Sequence, residues 1–140
     1  MPSKGGHSCC SEDAAPVGPF DQAAIEERAD VLVYSTPPLE KPVEVTGPIT
    51  VTLYAASSAR DTDFTAKLVD VHPDGKAIVL NNGIIRASFR DSLEKPERND
   101  RGRISSSQLA IWPTSNLFKT GHRIRREISS SNFPHYDRNP

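Results

Sequence analysis

Residues Ile49–Tyr54, with the sequence ITVTLY, alternate Ile, Val and Leu with Thr, Thr and Tyr. A period of two places the aliphatic side chains on one face of a β-strand and the remaining side chains on the wetter face. The same alternation returns after ten residues, in Phe64–Val71, where Phe, Ala and Leu alternate with Thr, Lys and Val. Both stretches therefore predict strands that bury one face against a second layer.

Turn residues separate further short apolar runs on both sides of these two strands. We expect Gly47-Pro48 and Pro113 to end strands, and Asn81-Asn82-Gly83 to form the tight turn of a hairpin. The charged residues 91–103 are expected to form an exposed connection. The predicted strands are Val31–Tyr34, Val43–Thr46, Ile49–Tyr54, Phe64–Val71, Ala77–Leu80, Ile84–Phe89, Ser107–Trp112 and His122–Ser130. About eight short strands with one helical turn favour an all-β fold, a β-sandwich or jelly roll.

The N-terminal part of the chain has a different composition from the rest. Residues 1–29 form a predicted arm with one short helical turn, and residues 30–140 form the β domain. The helical turn follows Asp21, a residue that can cap a helix, and is rich in Ala, Glu and Arg. Because nine residues are too few for a stable isolated helix, we expect this turn to dock against the β domain.

The last predicted strand carries a conflict between pattern and charge. If Ile124 and Ile128 face inward, the period of two also turns Arg126 inward, while Glu127 points to the opposite face. An unpaired buried guanidinium would cost several kcal/mol. Arg126 is therefore expected to be paired, to lie at an edge, or to extend toward solvent.

Charge and composition exclude several classes of partner. The 140 residues carry 17 Lys and Arg against 18 Asp and Glu, so the net charge is −1 and there is no basic attraction to nucleic acid. No apolar run approaches the ~20 residues that a membrane span needs. The first ten residues resemble neither a signal nor a transit peptide, which predicts a cytoplasmic protein.

The polar residues offer no catalytic set, and we predict no catalytic residue and no cofactor. A Gly-x-Ser-x-Gly nucleophile elbow is absent from the sequence. The serine clusters at 57–58 and 105–107 lie on no strand-to-helix turn, and the cluster at 129–131 is expected to be polar cover at the end of a strand. His72, His122 and His135 are expected to be solvated or to cap backbone groups, since no two of them have the spacing of a helical metal motif.

No metal site is predicted either. His7, Cys9 and Cys10 give three ligands where a structural zinc site needs four, and free thiols on a flexible arm are the preferred interpretation. The Asp61-Thr62-Asp63 segment, with Asp70 further along, resembles half of a calcium loop without its closing glutamate. A turn in which aspartate binds its own backbone explains these residues more simply.

Trp112 and Tyr54 are the aromatic residues with the clearest functional alternative. They could form the floor of a sugar-binding pocket. Trp112 is more readily explained as a residue of the core or of a domain interface.

Several stretches taken together resemble the C-terminal domain of the cocaine-esterase and X-Pro dipeptidyl-peptidase family of α/β-hydrolases. They cover nearly the whole chain in order. These stretches are Gly5-Gly6 with Cys9-Cys10, Gly18–Gln22, Asp30–Leu39, Val45–Pro48, Asp61–Val71, Pro73–Gly75, Gly83–Arg86, Pro113–Asn116, Gly121–Arg125 and Glu127–Pro134. The resemblance implies a jelly roll of the galactose-binding-like type.

The resemblance also implies a function for the chain within a larger enzyme. In that family the catalytic Ser, Asp and His lie in a preceding α/β-hydrolase domain, and no residue of this chain matches them. The arm with Cys9-Cys10 resembles the link between the two domains. We therefore expect an accessory domain, inert alone, whose partner is a hydrolase domain that it packs on and whose cleft it helps to wall. The alternative is an independent carbohydrate- or ligand-binding module.

Two features depart from the family pattern. Arg126 stands where an apolar residue is expected, and the sequence stops at Pro140 before the closing strand that the resemblance implies. A jelly roll without its last strand would have an unpaired sheet edge. Such an edge predicts self-association.

Overall fold

The computed structural model describes residues 18–139, and it forms two antiparallel sheets packed as a β-sandwich. The all-β prediction is therefore confirmed. The predictions for His7, Cys9 and Cys10 lie outside the described residues. The elements are α1 (Ala23–Glu26), β1 (Leu32–Ser35), β2 (Val43–Ala55), β3 (Asp63–Val71), β4 (Ala77–Arg86), a 3₁₀ turn (Ala87–Phe89), β5 (Ser105–Phe118) and β6 (Arg123–Ser129).

One sheet has the strand order β1-β6-β3-β4, and the other consists of β2 and β5. Both sheets contribute to the core between them. The four-stranded sheet supplies Ala66 and Ile128, and the two-stranded sheet supplies Val51, Leu109 and Ile111. The alternation that ITVTLY shows in the sequence places Val51 in this core, while Thr50 and Thr52 are exposed.

The described residues form six strands rather than about eight, because two predicted breaks, at Gly47-Pro48 and at Asn81-Asn82-Gly83, lie inside longer strands. The prediction that Gly47-Pro48 and Pro113 end strands is wrong. Gly47 pairs with Thr114 and Ile49 with Ile111, so both prolines lie within one bulge of the β2–β5 ladder. Gly47 has a φ of 115°, which a glycine adopts without strain. At a bulge the ladder is already interrupted, and a proline is tolerated there.

The hairpin turn predicted at Asn81-Asn82-Gly83 is also wrong, since these residues pair with β3 inside the continuous strand β4. Gly83 serves close packing instead. A Cβ atom at this position would lie 2.1 Å from the carbonyl oxygen of Ala110 in β5. The Asn81 amide then donates to the carbonyl oxygens of Trp112 and Pro113, at 2.9 and 3.1 Å. The backbones of β4 and β5 thus meet at one side of the sandwich.

The N-terminal segment covers the outer face of the four-stranded sheet. Asp21 forms a bridge with Ile78 of β4, and its carboxylate accepts from the backbone N–H of Ala23 at the start of α1. Ile25 of α1 and Val31 are buried. The prediction that the helical turn docks is confirmed. Strand β3 is consequently buried on both faces along almost its whole length.

Among the described residues, no helix is long and apolar enough to span a membrane.

Candidate functional site

A groove opens between the sheets on the side away from Gly83. The two-stranded sheet covers Ile128 of β6 but not the inner face of β1 or of β6 around Arg126, and this leaves a cavity of about 420 Å³. Its walls include Tyr34, Ile49, Leu68, Ile124 and Arg126. Most of the lining is thus apolar, with a guanidinium and a phenol at one wall.

The groove resolves the conflict at Arg126. This residue lies on the inner face, as the pattern predicts, but it is exposed because no strand covers it. Its guanidinium carbon lies 5.2 Å from the centroid of the Tyr34 ring, a distance typical of a cation–π contact. Strand β6 is flanked by β1 and β3, so Arg126 is not at a sheet edge. It is exposed because no second layer packs over it.

Its neighbour Glu127 is buried on the opposite face, beside Lys67 of β3. The side chains are 3% and 2% exposed, and Lys67 Nζ lies 3.9 Å from Glu127 Oε2. Lys67 Nζ also donates to Oε1 of the buried Gln22 at 2.9 Å. The register explains the pair, since Lys67 and Glu127 are directly opposite in the β3–β6 ladder.

Burial dominates the titration of this pair. Loss of solvation raises the pKa of Glu127 to about 7, with Lys67 opposing the shift and Glu26 adding to it. Burial also lowers the pKa of Lys67. The sequence analysis did not identify this pair, because the alternation alone does not show that the N-terminal segment covers the outer face.

A third group lies at the end of the four-stranded sheet, where Asp70, His72 and His122 meet. Asp70 Oδ1 lies 2.8 Å from His122 Nδ1, and Asp70 Oδ2 lies 3.7 Å from His72 Nε2. The two imidazole centroids are 4.6 Å apart. The sequence analysis considered each residue singly and did not bring them together. The sequence does contain an Asp-x-His spacing at 70–72, which places two potential metal ligands close together. This spacing becomes informative only when the register of β6 is known, because that register brings His122 beside them.

Serine side chains in the clusters form hydrogen bonds with backbone groups and with other hydroxyls. Ser57 Oγ accepts from the backbone N–H of Ala59 at 3.0 Å. Ser129 Oγ lies 2.7 Å from Thr65 Oγ1. Ser107 is buried in β5. The exposure of Ser130 agrees with polar cover at the end of β6, whereas Ser107 belongs to the buried face of β5.

The carboxylates of the half calcium loop hold neighbouring segments. Asp61 accepts from its neighbour Thr62, as the turn interpretation predicts, and from both the backbone N–H and the hydroxyl of Ser88. Asp63 receives two hydrogen bonds from the Arg86 guanidinium, at 2.9 and 3.2 Å. Asp70 is separate from them, in the group with the two histidines.

Trp112 and Tyr54 lie on the outer surface of the two-stranded sheet. They are 65% and 73% exposed, so neither is a core residue. Tyr54 pairs with Ser106, six residues before Trp112 in β5. At roughly 3.3 Å per residue the two side chains are about 20 Å apart. They do not form one aromatic platform.

Comparison with known proteins gives consistent matches. Residues 6–140 match the family described as the X-Pro dipeptidyl-peptidase C-terminal non-catalytic domain. The chain is 54% identical over 122 residues to the cocaine esterase of Rhodococcus sp. (strain MB1 Bresler). The aligned region covers 87% of this chain and 21% of the esterase.

Two solved structures share the fold. One is an aminopeptidase from the marine sediment archaeon Thaumarchaeota archaeon, with a TM-score of 0.83 and 33% identity. The other is an α-amino acid ester hydrolase, with a TM-score of 0.83 and 32% identity. Each match covers 87% of this chain and 21% of the solved chain. The chain thus spans about one fifth of the length of these relatives.

Proposed function

Because the chain belongs to the X-Pro dipeptidyl-peptidase C-terminal non-catalytic domain family, we propose that it is the accessory β domain of a serine hydrolase. The parent enzyme would be an acyl esterase or an X-Pro dipeptidyl-peptidase, and this chain would be inert alone. The observation that carries the proposal is the coverage: 87% of the chain aligns with only 21% of a cocaine esterase. The relatives therefore have a large additional part with which this domain shares a chain.

We propose that the domain packs on that hydrolase part and helps to wall its cleft. The outer surface of the two-stranded sheet offers a docking area, since Trp112 and Leu117 are 65% and 53% exposed. Large exposed apolar side chains of this kind are typical of domain interfaces. The bulge between the two positions reverses the alternation of β5, and both side chains therefore point outward.

A reconstitution experiment tests docking and inertness together. The purified chain is assayed on a p-nitrophenyl ester and treated with a fluorophosphonate probe, and we expect neither turnover nor labelling. It is then mixed with the Rhodococcus cocaine esterase from which the matching fifth has been deleted. We expect co-elution in size-exclusion chromatography, weakened by Trp112→Ala and unaffected by Tyr54→Ala at the far end of the same sheet. Turnover or labelling of the chain alone contradicts inertness, and absence of co-elution contradicts docking.

The carbohydrate-binding alternative receives no support from the aromatic residues on which it was based. Trp112 and Tyr54 are about 20 Å apart along the sheet. Calorimetric titration with simple sugars is expected to show no heat of binding. A saturable signal would restore the alternative.

The open side of the sandwich supports a proposal about assembly. Among the described residues, β2 pairs only with β5, so its other edge is free beside the groove. We propose that a further strand completes this edge in the longer relatives, which would give the galactose-binding-like jelly roll. In the isolated chain a second copy would use the same edge. Size-exclusion chromatography at two concentrations tests self-association, and a monomer at both would dismiss it.

We retain the division into an arm, residues 1–29, and a β domain, residues 30–140. The contacts of Gln22 and Ile25 with the sheet support a docked end for the arm. A cytoplasmic location remains a prediction from the sequence, and cell fractionation tests it.

A further inference from the structure

We propose that Asp70, His72 and His122 form a binding site for one divalent transition-metal ion, with Zn²⁺ as the representative. One ligand atom from each of the three lies within 4.8 Å of the other two. The expectation of no metal site came from the sequence alone, in which the three residues are separated by up to 52 positions.

The sheet brings the residues together by its regular geometry. Asp70 and His72 are two positions apart at the end of β3, so their side chains point to the same side. Asp70 pairs with Ile124 and Val71 with Arg123. Continuing this antiparallel register by one pair places His72 opposite His122, and cross-strand neighbours of this kind have side chains in contact.

The distances suit a tetrahedral ion. Bonds of ~2.0–2.2 Å to nitrogen and oxygen at tetrahedral angles require ligand atoms about 3.3 Å apart. The observed separations are 2.8 Å from Asp70 Oδ1 to His122 Nδ1 and 3.7 Å from Asp70 Oδ2 to His72 Nε2, one below and one above this value. The longer distance exceeds that of a hydrogen bond, so His72 is held near the carboxylate without being hydrogen-bonded to it.

The backbone holds both histidines in place. The N–H of His72 donates to the carbonyl of Lys76, and its carbonyl accepts from Gly75, at 2.8 and 3.0 Å. The N–H of His122 donates to the carbonyl of Lys119, and its carbonyl accepts from Leu39, at 3.1 and 2.8 Å. Small side-chain adjustments are then sufficient to receive an ion, and the site is preorganised.

The ligand types select the metal. Two imidazole nitrogens with one carboxylate oxygen suit Zn²⁺ and its first-row neighbours, whereas Ca²⁺ and Mg²⁺ prefer oxygen ligands throughout. Three protein ligands leave the fourth position to water. The side chains of Asp70 and His122 are 10% and 12% exposed, and that of His72 is 37% exposed, which gives the ion a path from solvent. Bound there, the ion would tie the turn after β3 to the start of β6.

Titration of the tag-free, metal-stripped chain with Zn²⁺ tests the site. The parent for all variants has His7→Ala, Cys9→Ser and Cys10→Ser, which removes the side chains near the N-terminus that are of zinc-ligand type. We expect one Zn²⁺ per chain by calorimetry, a melting temperature that rises with Zn²⁺ concentration, and no response to Mg²⁺. Co²⁺ is expected to give the visible absorption of a four-coordinate site.

Ligand variants decide the assignment. His72→Ala and His122→Gln are each expected to weaken Zn²⁺ affinity at least about tenfold, as much as loss of an outer-shell partner typically costs. His135→Ala is the matched control, because this partly buried histidine packs on Tyr136 and lies outside the group of Asp70, His72 and His122. The Zn²⁺ affinity of this variant should equal that of the parent. If His122→Gln fails to fold, His72→Ala tests the site instead, because His72 is the more exposed of the two histidines. No saturable uptake by the parent, or an affinity in both ligand variants equal to that of the parent, would overturn the site.

Discussion

Two adjacent residues of β6 show how strongly the cover of a sheet controls the environment of a charge. Arg126 lies on the inner face and is exposed, whereas Glu127 lies on the outer face and is 3% exposed. The inner face is uncovered at β1 and around Arg126 of β6, and the outer face lies beneath the N-terminal segment. Which face of a strand is buried therefore depends on what packs on it, and alternation along the strand gives only the relative orientation of neighbours.

The largest expected effect is on the buried side of this comparison. Glu127→Leu leaves Lys67 buried without its carboxylate partner, and we expect a loss of about 3–5 kcal/mol in the free energy of unfolding. Arg126→Leu, one position away, should lower it by no more than about 1 kcal/mol, which is the value of a cation–π contact at an exposed site. Denaturation in urea measures both. A double variant, Lys67→Met with Glu127→Leu, should recover most of the loss, since it removes the charge together with its partner.

Equal losses for the two single variants would contradict the difference in cover. A double variant as unstable as Glu127→Leu would show that packing volume, and not the loss of the carboxylate beside the Lys67 ammonium, lowers the free energy of unfolding.

The same pair predicts a pH dependence of stability. The pKa of Glu127 is about 7 in the folded chain against an ordinary value of 4.5. Between these values the folded chain keeps a proton that the unfolded chain has lost, so the free energy of unfolding falls as pH rises. The fall attributable to Glu127 is about 3 kcal/mol from pH 4.5 to pH 7. The groups that face it are Lys67, Glu26 and Arg125.

The difference between the wild-type chain and Glu127→Gln isolates this contribution, because every other titratable group is the same in both proteins. The variant should become the more stable of the two as pH rises. A constant difference across the window would mean that Glu127 titrates normally.

The closed side of the inner face gives a third expectation. Gly83→Ala places a methyl group against the Ala110 carbonyl, where a Cβ would lie 2.1 Å from the oxygen, and the strands must separate. We expect a loss of about 1–3 kcal/mol, as for other overpacked positions. Leu32→Ala on the open side, where this side chain is 53% exposed, should cost less. The reverse order in thermal or urea denaturation would contradict the assignment of closed and open sides.

These comparisons also show what the sequence could predict. The two-layer β fold followed from alternation at Ile49–Tyr54 and Phe64–Val71, because a period of two is local. The strand breaks predicted at Gly47-Pro48 and Asn81–Gly83 were wrong. Glycine and proline occur in turns, in bulges and where two backbones approach closely, and the sequence alone does not distinguish these three cases. The Asp70 group and the Lys67–Glu127 pair depend on the register between strands far apart in sequence, and no local pattern specifies that register.

The smallest expected effect concerns the exposed side of β6. Tyr34→Ala removes the ring that lies 5.2 Å from the Arg126 guanidinium carbon, and a cation–π contact at a solvent-accessible site is worth about 0.5–1 kcal/mol. Tyr34→Phe keeps the ring and should lose little, which separates the cation–π contact from any effect of the hydroxyl. Combining each variant with Arg126→Leu completes a double-mutant cycle in urea denaturation. A coupling free energy near zero between Tyr34→Ala and Arg126→Leu would mean that the Tyr34 ring does not stabilise the Arg126 guanidinium. Exposure to solvent alone would then explain why a charge is tolerated at this position of β6.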